Sequence, residues 1–190
     1  MKKGSVILTV IIIILIIVSA IVMWGVGIYN KAVSLETKVD TAWAEVENQL
    51  QRRYDLVPDL VNVANKYAEN EKEIINSVVT ARASMAGATT SDDKIEASKE
   101  LESAISRLLV VVENYPELKS NEQYIRVMDE MAGTENRIAV ARRDYNETVE
   151  TYNIKIKTFP TLLFKGMLGA EERELFEVQE EAKVKPDYNL

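Results

Sequence analysis

VILTVIIIILIIVSAIVMWGVGI, residues 6–28, is apolar apart from Thr9 and Ser19 and contains no charged residue. As a helix rising about 1.5 Å per residue it extends about 34 Å, enough to cross a hydrocarbon core of about 30 Å. The stretch therefore predicts an N-terminal membrane-spanning helix. A core helix of a soluble protein would carry a polar face, and this stretch has none. Val18-Ser19-Ala20 behind Lys2-Lys3 resembles a signal-peptidase site. The apolar run, however, continues past it to Ile28, whereas a cleaved segment is normally about 7–15 residues long. Trp24 and Tyr29 stand toward its far end, where aromatic rings favour the membrane interface. A retained anchor is the preferred reading. The run has no Gly-x-x-x-Gly, so association inside the bilayer is not signalled.

Beyond the run the chain changes character. Its 190 residues include 23 basic and 30 acidic ones, for a net charge of −7, and neither histidine nor cysteine. Only Lys2 and Lys3 precede the run, so the part after it carries about −9, which argues against nucleic-acid binding and against a polybasic hold on lipid. Without cysteine there is no disulfide scaffold. Without histidine the commonest general base and metal ligand is missing, and with it the Ser-His-Asp, Cys-His and Glu-x-x-His arrangements. Lys2 and Lys3 on one side and Lys31 and Lys38 on the other nearly balance, leaning slightly to an inside N-terminus.

From Ala32 the apolar residues recur at three- and four-residue steps: Leu35, Val39, Ala42, Val46, Leu50, Tyr54, Val57, Val61, Ala64, Ala68. That is one face of a helix. Pro58 cannot donate to the carbonyl of Tyr54, so a kink or restart is expected there. Gly87 and Thr89-Thr90-Ser91 end this first long element, and Thr90 or Ser91 can cap the next. A second helix is expected at about 92–113 with Ile95, Leu101, Ile105, Leu108 and Val112 inward, its apolar surface widened by Leu109, Val110 and Val111. Tyr115-Pro116 breaks the chain. Ser120-x-x-Gln123 reads as a capping box for a third helix, with Ile125, Met128, Met131, Ile138, Tyr145, Val149, Tyr152 and Ile156 on its line, closed by Phe159-Pro160. An apolar cluster (Leu162 to Leu168), a turn at Gly169 and a short acidic helix to about Glu181 complete the expectation. The fold class is all-α: an N-terminal transmembrane helix, then an elongated antiparallel helical bundle of three long helices plus a short C-terminal helix. The boundaries are a basic N-terminus at 1–5, the span at 6–28, the bundle at 29–182 and a tail at 183–190.

The stretch Val39-Asp40-Thr41-Ala42-Trp43, with Gln49-Leu50-Gln51-Arg52-Arg53-Tyr54-Asp55-Leu56-Val57-Pro58-Asp59-Leu60-Val61, resembles the signature of the LemA family of bacterial membrane proteins. Tyr29-Asn30 after the span, RLLVVVENYPEL at 107–118, GTENRIAVARRDYN at 133–146 and Tyr152-Asn153 through Phe159-Pro160 come in the same order. The resemblance covers almost the whole chain. It implies a single N-terminal span in a bacterial plasma (inner) membrane and a helical domain after it, the LemA-like bundle of residues 29–182, with no defined activity. It also implies a short N-terminus outside and the bundle in the cytoplasm, against the slight lean of the local charges.

The candidate residues lie in these motifs: Trp43, Arg52, Arg53, Tyr54, Asp55, Pro58, Arg82, Glu135, Asn136, Arg142, Tyr145 and Asn146. Arg52 and Arg53 could grip a partner carboxylate or a lipid phosphate with paired hydrogen bonds. The structural reading is preferred. Arg53 and Tyr54 fall where core residues belong, and Glu135 and Arg142 interrupt the apolar line of the third helix. Polar groups on core faces usually find each other, which predicts a buried network joining Arg52 or Arg53 to Glu135, with Arg82 or Arg142 as alternates. Trp43 is read as core packing beside Val39, Val46 and Leu50 rather than a partner anchor. Pro58 is read as a fixed kink rather than a hinge. The carboxylates Glu171, Glu172, Glu174, Glu177, Glu180 and Glu181 have helical spacing but no EF-hand pattern, so a solvated face is preferred to a metal site. No catalytic, cofactor or metal residue is assigned. The expected function is a non-enzymatic membrane scaffold held in the bilayer by residues 6–28, self-associating or joined to another membrane protein. An adaptor or regulator of a membrane protease or transport system is the alternative, and a secreted bundle or an enzyme using only Asp, Glu, Lys, Tyr or Ser ranks below both.

Overall fold

The computed structural model describes residues 2–176. Glu177, Glu180, Glu181 and the tail at 183–190 lie outside the described residues. Among the described residues there are six α-helices and no strand: α1 Lys2–Tyr67, α2 Lys72–Gly87, α3 Ser91–Val112, α4 Pro116–Lys119, α5 Glu122–Lys157 and α6 Lys165–Leu168. Short 3₁₀ turns stand at Glu69–Glu71 and Thr161–Phe164. The all-α class is as the periodicity predicts. The apolar run begins α1, with a mean hydropathy of 3.2 over its span-length window and none of that window buried by the rest of the chain. The helix continues through Ala20 and Ile28 without a break.

The described residues divide into two compact units: α1 up to Thr41 with Glu147–Arg173, and Ala42–Asn146 with residues 174–176. In the second unit, side-chain pairs fix the helix directions. Arg82 of α2 reaches Tyr54 of α1, so the chain reverses near Ala68 and α2 runs back along α1. Lys94 pairs with Glu47 and Glu102 with Arg53, so α3 runs the same way as α1. Gln49 meets Arg137 and Arg52 meets Glu130, so α5 runs against it. The result is an up-down-up-down four-helix arrangement. Here the structure corrects the sequence reading. The first long element is two helices folded on each other, and the break falls at Ala68, not Pro58, which sits inside continuous α1. A proline costs one backbone hydrogen bond, and the packing of Val57 and Leu60 on either side, both fully buried, holds the helix through it.

The buried positions show a four-three alternation on both facing helices. On α1 the alternation runs Val46, Leu50, Arg53, Val57, Leu60 and Ala64, with Val63 also buried beside Ala64; on α5 it runs Val127, Met131, Thr134, Ile138, Ala141 and Tyr145. This is the seam of left-handed helix packing. The line expected from spacing runs through Tyr54 and Val61 because it takes one four-residue step too early; the seam occupies Arg53 and Leu60, and Tyr54 and Val61 flank it. Ile125 likewise falls off the seam and is exposed, with Val127 inside. On α3 the five expected apolar positions are buried, but Val110 faces solvent.

The caps explain the helix starts. Thr90 Oγ1 accepts from the Asp93 N–H at 3.1 Å, and the Thr90 N–H donates to Asp93 Oδ2 at 3.2 Å, a capping box opening α3. At α5 the cap is Asn121, not Ser120: Asn121 Oδ1 accepts from the N–H groups of Gln123 and Tyr124. Ser120 ends α4 and donates its hydroxyl to the Glu117 carbonyl. Residues 170–176 form no helix, so the acidic helix expected there is absent from the part described.

In the first unit Ile28, Ala32, Leu35 and Val39 of α1 and Val149, Tyr152 and Ile156 of α5 are buried. Asn153 grips the backbone of Arg173, accepting from its N–H at 3.0 Å and donating to its carbonyl at 2.9 Å. The Arg173 guanidinium then lies 3.6 Å from Glu36 and 3.5 Å from Asp40. The Tyr152 hydroxyl is buried with no hydrogen-bond partner, and burial raises its pKa. Leaving such a group unbonded costs about 1–3 kcal/mol. Tyr152→Phe should therefore leave stability unchanged or raise it by about 1 kcal/mol in urea unfolding; a loss of that size would mean the hydroxyl is bonded in solution.

Candidate functional site

Among the described residues, the seam of the second unit contains one charged side chain, Arg53, with 5% of its side chain exposed. It sits where α1, α3 and α5 face each other. Its Nη2 pairs with Glu135 of α5, and its Nη1 lies 3.6 Å from Glu102 of α3. Glu102 also receives Arg142 of α5 at 3.3 Å. Arg142 extends a second nitrogen to the Ser98 hydroxyl at 3.4 Å, and buried Ser98 donates to the Ile95 carbonyl. One carboxylate thus stands between two guanidiniums. Burial pulls the Arg53 pKa down from its ordinary value; the Glu102 charge opposes that, and the neighbouring Arg142 adds to it.

This layer opens on one side into a cleft of about 410 Å³. Arg53, Glu102 and Glu135 form its polar wall; Ile105, Leu109 and Met131 form its apolar one. The cleft presents a paired charge beside apolar surface. Chemically that suits binding or fixing helix register more than proton transfer, because each carboxylate there stands against an arginine. Among the described residues no group of three or more Asp or Glu is placed to hold a metal.

The other candidate residues are placed as follows. Arg52 is half exposed and bonds Glu130 at 2.9 Å, outside the buried layer. Arg82 does not join the layer either, because α2 folds back. Its Nε donates to the Tyr54 carbonyl at 3.2 Å, and its guanidinium lies 3.8 Å from the Tyr54 ring centre. That contact satisfies a helix carbonyl close to Pro58, where the ladder lacks a donor. Asp55 accepts from Gln51 on the surface, and Asn136 is exposed on α5. Trp43 and Tyr145 meet edge to face at 5.4 Å, and both rings meet Phe176: stacked at 6.0 Å for Trp43, edge-on at 5.6 Å for Tyr145. Asn146 holds Phe176 there by accepting from its N–H and donating to its carbonyl, both at 2.9 Å. Arg142 lies 5.1 Å from the Phe176 ring centre, joining the aromatic group to the charged layer.

Sequence reasoning missed Glu102, Ser98 and Phe176. The α3 line offers a clue: Ser98 and Glu102 lie four apart and flank Leu101, so they share its side of the helix. Phe176 has no comparable signal, since its place depends on one hydrogen bond donated to, and one accepted from, the Asn146 amide.

Among the described residues, three exposed carboxylates have pKa values below the usual range: Glu130 through its bond to Arg52, Glu172 through Lys157, and Asp93 through Thr90. A depressed folded-state pKa contributes stability that is present above the unfolded value, about 4, and is lost as pH falls through the folded one. Thermal midpoints should therefore decline below about pH 4, less steeply in high salt, and Glu130→Gln should flatten part of that decline. A pH-independent midpoint across that range would contradict these pairings.

The fold and the charged seam define a helical bundle protein with, among the described residues, one helix long and apolar enough to cross a membrane. The chain belongs to the LemA family, whose model matches residues 42–189. It is similar to Protein LemA of Metamycoplasma hominis, 22% identical over 163 residues, 85% of this chain and 74% of that protein. It is also similar to Magnetosome protein MamQ 2 of Paramagnetospirillum magneticum, 38% identical over 74 residues, and to Magnetosome protein MamQ of Magnetospirillum gryphiswaldense, 33% identical over 73 residues. These two matches cover 39% and 38% of this chain, and each spans 27% of the length of the magnetosome protein.

Proposed function

We propose that this chain is a non-enzymatic scaffold of LemA type, anchored in a bacterial plasma membrane by residues 6–28 as a single span, and that it self-associates or organises other proteins there. The observation that carries the reading is the chemistry of the seam. The charged groups of the layer around Arg53 are arginine–carboxylate pairs, which suit holding helices in one register more than acid–base chemistry. A span continuous with a long helix supports a role in which position at the membrane is the output. Chemical crosslinking in native membranes followed by mass spectrometry tests it. Crosslinks between copies of this chain, or to a recurrent set of membrane proteins, are expected, with residues 1–28 retained. A solubilised full-length chain that is strictly monomeric and crosslinks to nothing would overturn it. The adaptor reading is favoured by the open cleft beside Arg53. It predicts crosslinks from that cleft to another membrane protein, such as a protease or transporter, rather than between copies.

A further inference from the structure

The segment after α5 is unusual for its exposed apolar surface. Phe159 is 73% exposed, Leu163 69% and Met167 78%, with Leu162 half exposed, all within nine residues. Singly exposed apolar residues are ordinary; a contiguous group marks a surface that is covered by something. Two features indicate what covers it. First, Phe164 of the same segment packs on Gly25, its ring 3.6 Å from where a β-carbon of residue 25 would stand. Gly25 lies inside the apolar run, three residues before Ile28, or about 4.5 Å along the helix axis. The segment therefore stands beside the last turn of the span, at the depth where the hydrocarbon ends. Trp24 and Tyr29, the aromatic residues of the predicted interface, are at the same level and exposed. Second, the stretch from Lys157 to Ala170 contains no acidic residue in a chain whose net charge is −7; of its two lysines, Lys157 pairs with Glu172 at 2.6 Å and Lys165 lies within the apolar segment itself. Apolar side chains around a lysine, with no carboxylate among them, suit the boundary between acyl chains and anionic headgroups.

We propose that residues 159–168 are a second membrane-contacting element. Phe159, Leu162, Leu163 and Met167 insert at the interface of the leaflet from which α1 emerges, with Lys165 toward the headgroups. The occupant of this apolar surface is the bilayer that the span already crosses, because the contact at Gly25 makes the two surfaces continuous. The element would hold α5 as well as α1 to the membrane, so the first unit is fixed at two points rather than swivelling on one helix.

The absence of cysteine makes the test clean. Single cysteines replace Leu163, Met167, Val18 (inside the span) and Glu147 (exposed, in the same unit) in the full chain. Each is labelled with a polarity-sensitive dye and reconstituted into phosphatidylcholine–phosphatidylglycerol vesicles. Labels at 163 and 167 should emit blue-shifted light and be quenched by spin-labelled lipid, as at 18, while the label at 147 is quenched by aqueous iodide. Iodide quenching at 163 and 167 equal to that at 147 overturns the proposal. So does protection from both quenchers, which would mean a second copy covers the segment. Helical circular dichroism of each labelled chain guards against misfolding; since all four positions are exposed, the fold should be retained.

Discussion

Replacing Glu102 by leucine should destabilise the four-helix unit by about 3–5 kcal/mol, whereas replacing Arg53 by methionine should cost no more than about 1.5 kcal/mol. The asymmetry stems from where solvent reaches. Arg53 is almost wholly buried and has two counter-charges, Glu102 and the half-exposed Glu135. Removing Glu102 leaves the guanidiniums of Arg53 and Arg142 sharing a site from which their common carboxylate has gone. Arg53 keeps Glu135, but a desolvated cation that loses one of its two counter-charges beside a second guanidinium is costly because water cannot replace the lost interaction. Removing Arg53 instead takes away the buried charge itself. Glu102 keeps Arg142 at 3.3 Å, Glu135 turns to solvent, and a methionine fills the space of the arginine stem in the seam. Urea unfolding of the detergent-solubilised chain measures both. Against a typical total of about 5–15 kcal/mol, the first variant should lose much of its stability and the second little. Equal losses would show that the ion pair, and not the desolvation of Arg53, sets the energetics. A large loss for Arg53→Met alone would show that the charge contributes net stability.

The same residue shows how much is legible in the sequence. Helical periodicity is robust, so the all-α class, the apolar run and the faces of α3 and α5 can be read from spacing alone. Arg53 stands out because a charge on an apolar line needs a reason, and the line of α5 holds Glu135 and Arg142 with the same need. The reversal at Ala68 is not legible. Ala-Glu-Asn-Glu at 68–71 contains no proline or glycine, and the turn exists because α2 buries Ile75, Val78 and Ala81 better against α1 and α3 than as a continuation of α1. Pro58, the strongest local breaker in the stretch, is overruled by the packing of Val57 and Leu60. Both departures come from tertiary contacts outweighing a local preference. The same reversal places Arg82 on the Tyr54 ring rather than in the expected network. An alternating four-three seam also differs from a line of four-residue steps by a single residue, which is enough to exchange Tyr54 for Arg53 and Val61 for Leu60.

Tyr145→Ala should cost about 3–5 kcal/mol and open the aromatic group around Trp43. Tyr145 is 3% exposed and stands edge-on to both Trp43 and Phe176, so its removal deletes two ring pairings as well as buried area. Each such pairing contributes about 0.5–1.5 kcal/mol beyond area alone. The cavity would also undermine the docking of Phe176, whose ring rests on Trp43 and whose backbone hangs on Asn146. Two observables separate these effects. Unfolding in urea reports the total loss. Emission from Trp43, in a chain where Trp24 is replaced by phenylalanine, reports the local environment, and it should shift to longer wavelength as water reaches the indole. Tyr145→Phe keeps both rings in place and should leave the emission where it was. Asn146→Asp offers the complementary case: one oxygen can still accept from the Phe176 N–H, but the other faces the Phe176 carbonyl without a proton to share. That variant should detach the segment at Phe176 and shift the Trp43 emission with the tyrosine intact. If Tyr145→Ala shifts the emission and Asn146→Asp does not, the ring contacts alone hold Phe176 and the amide grip is dispensable; if neither shifts it, Trp43 does not depend on this cluster at all.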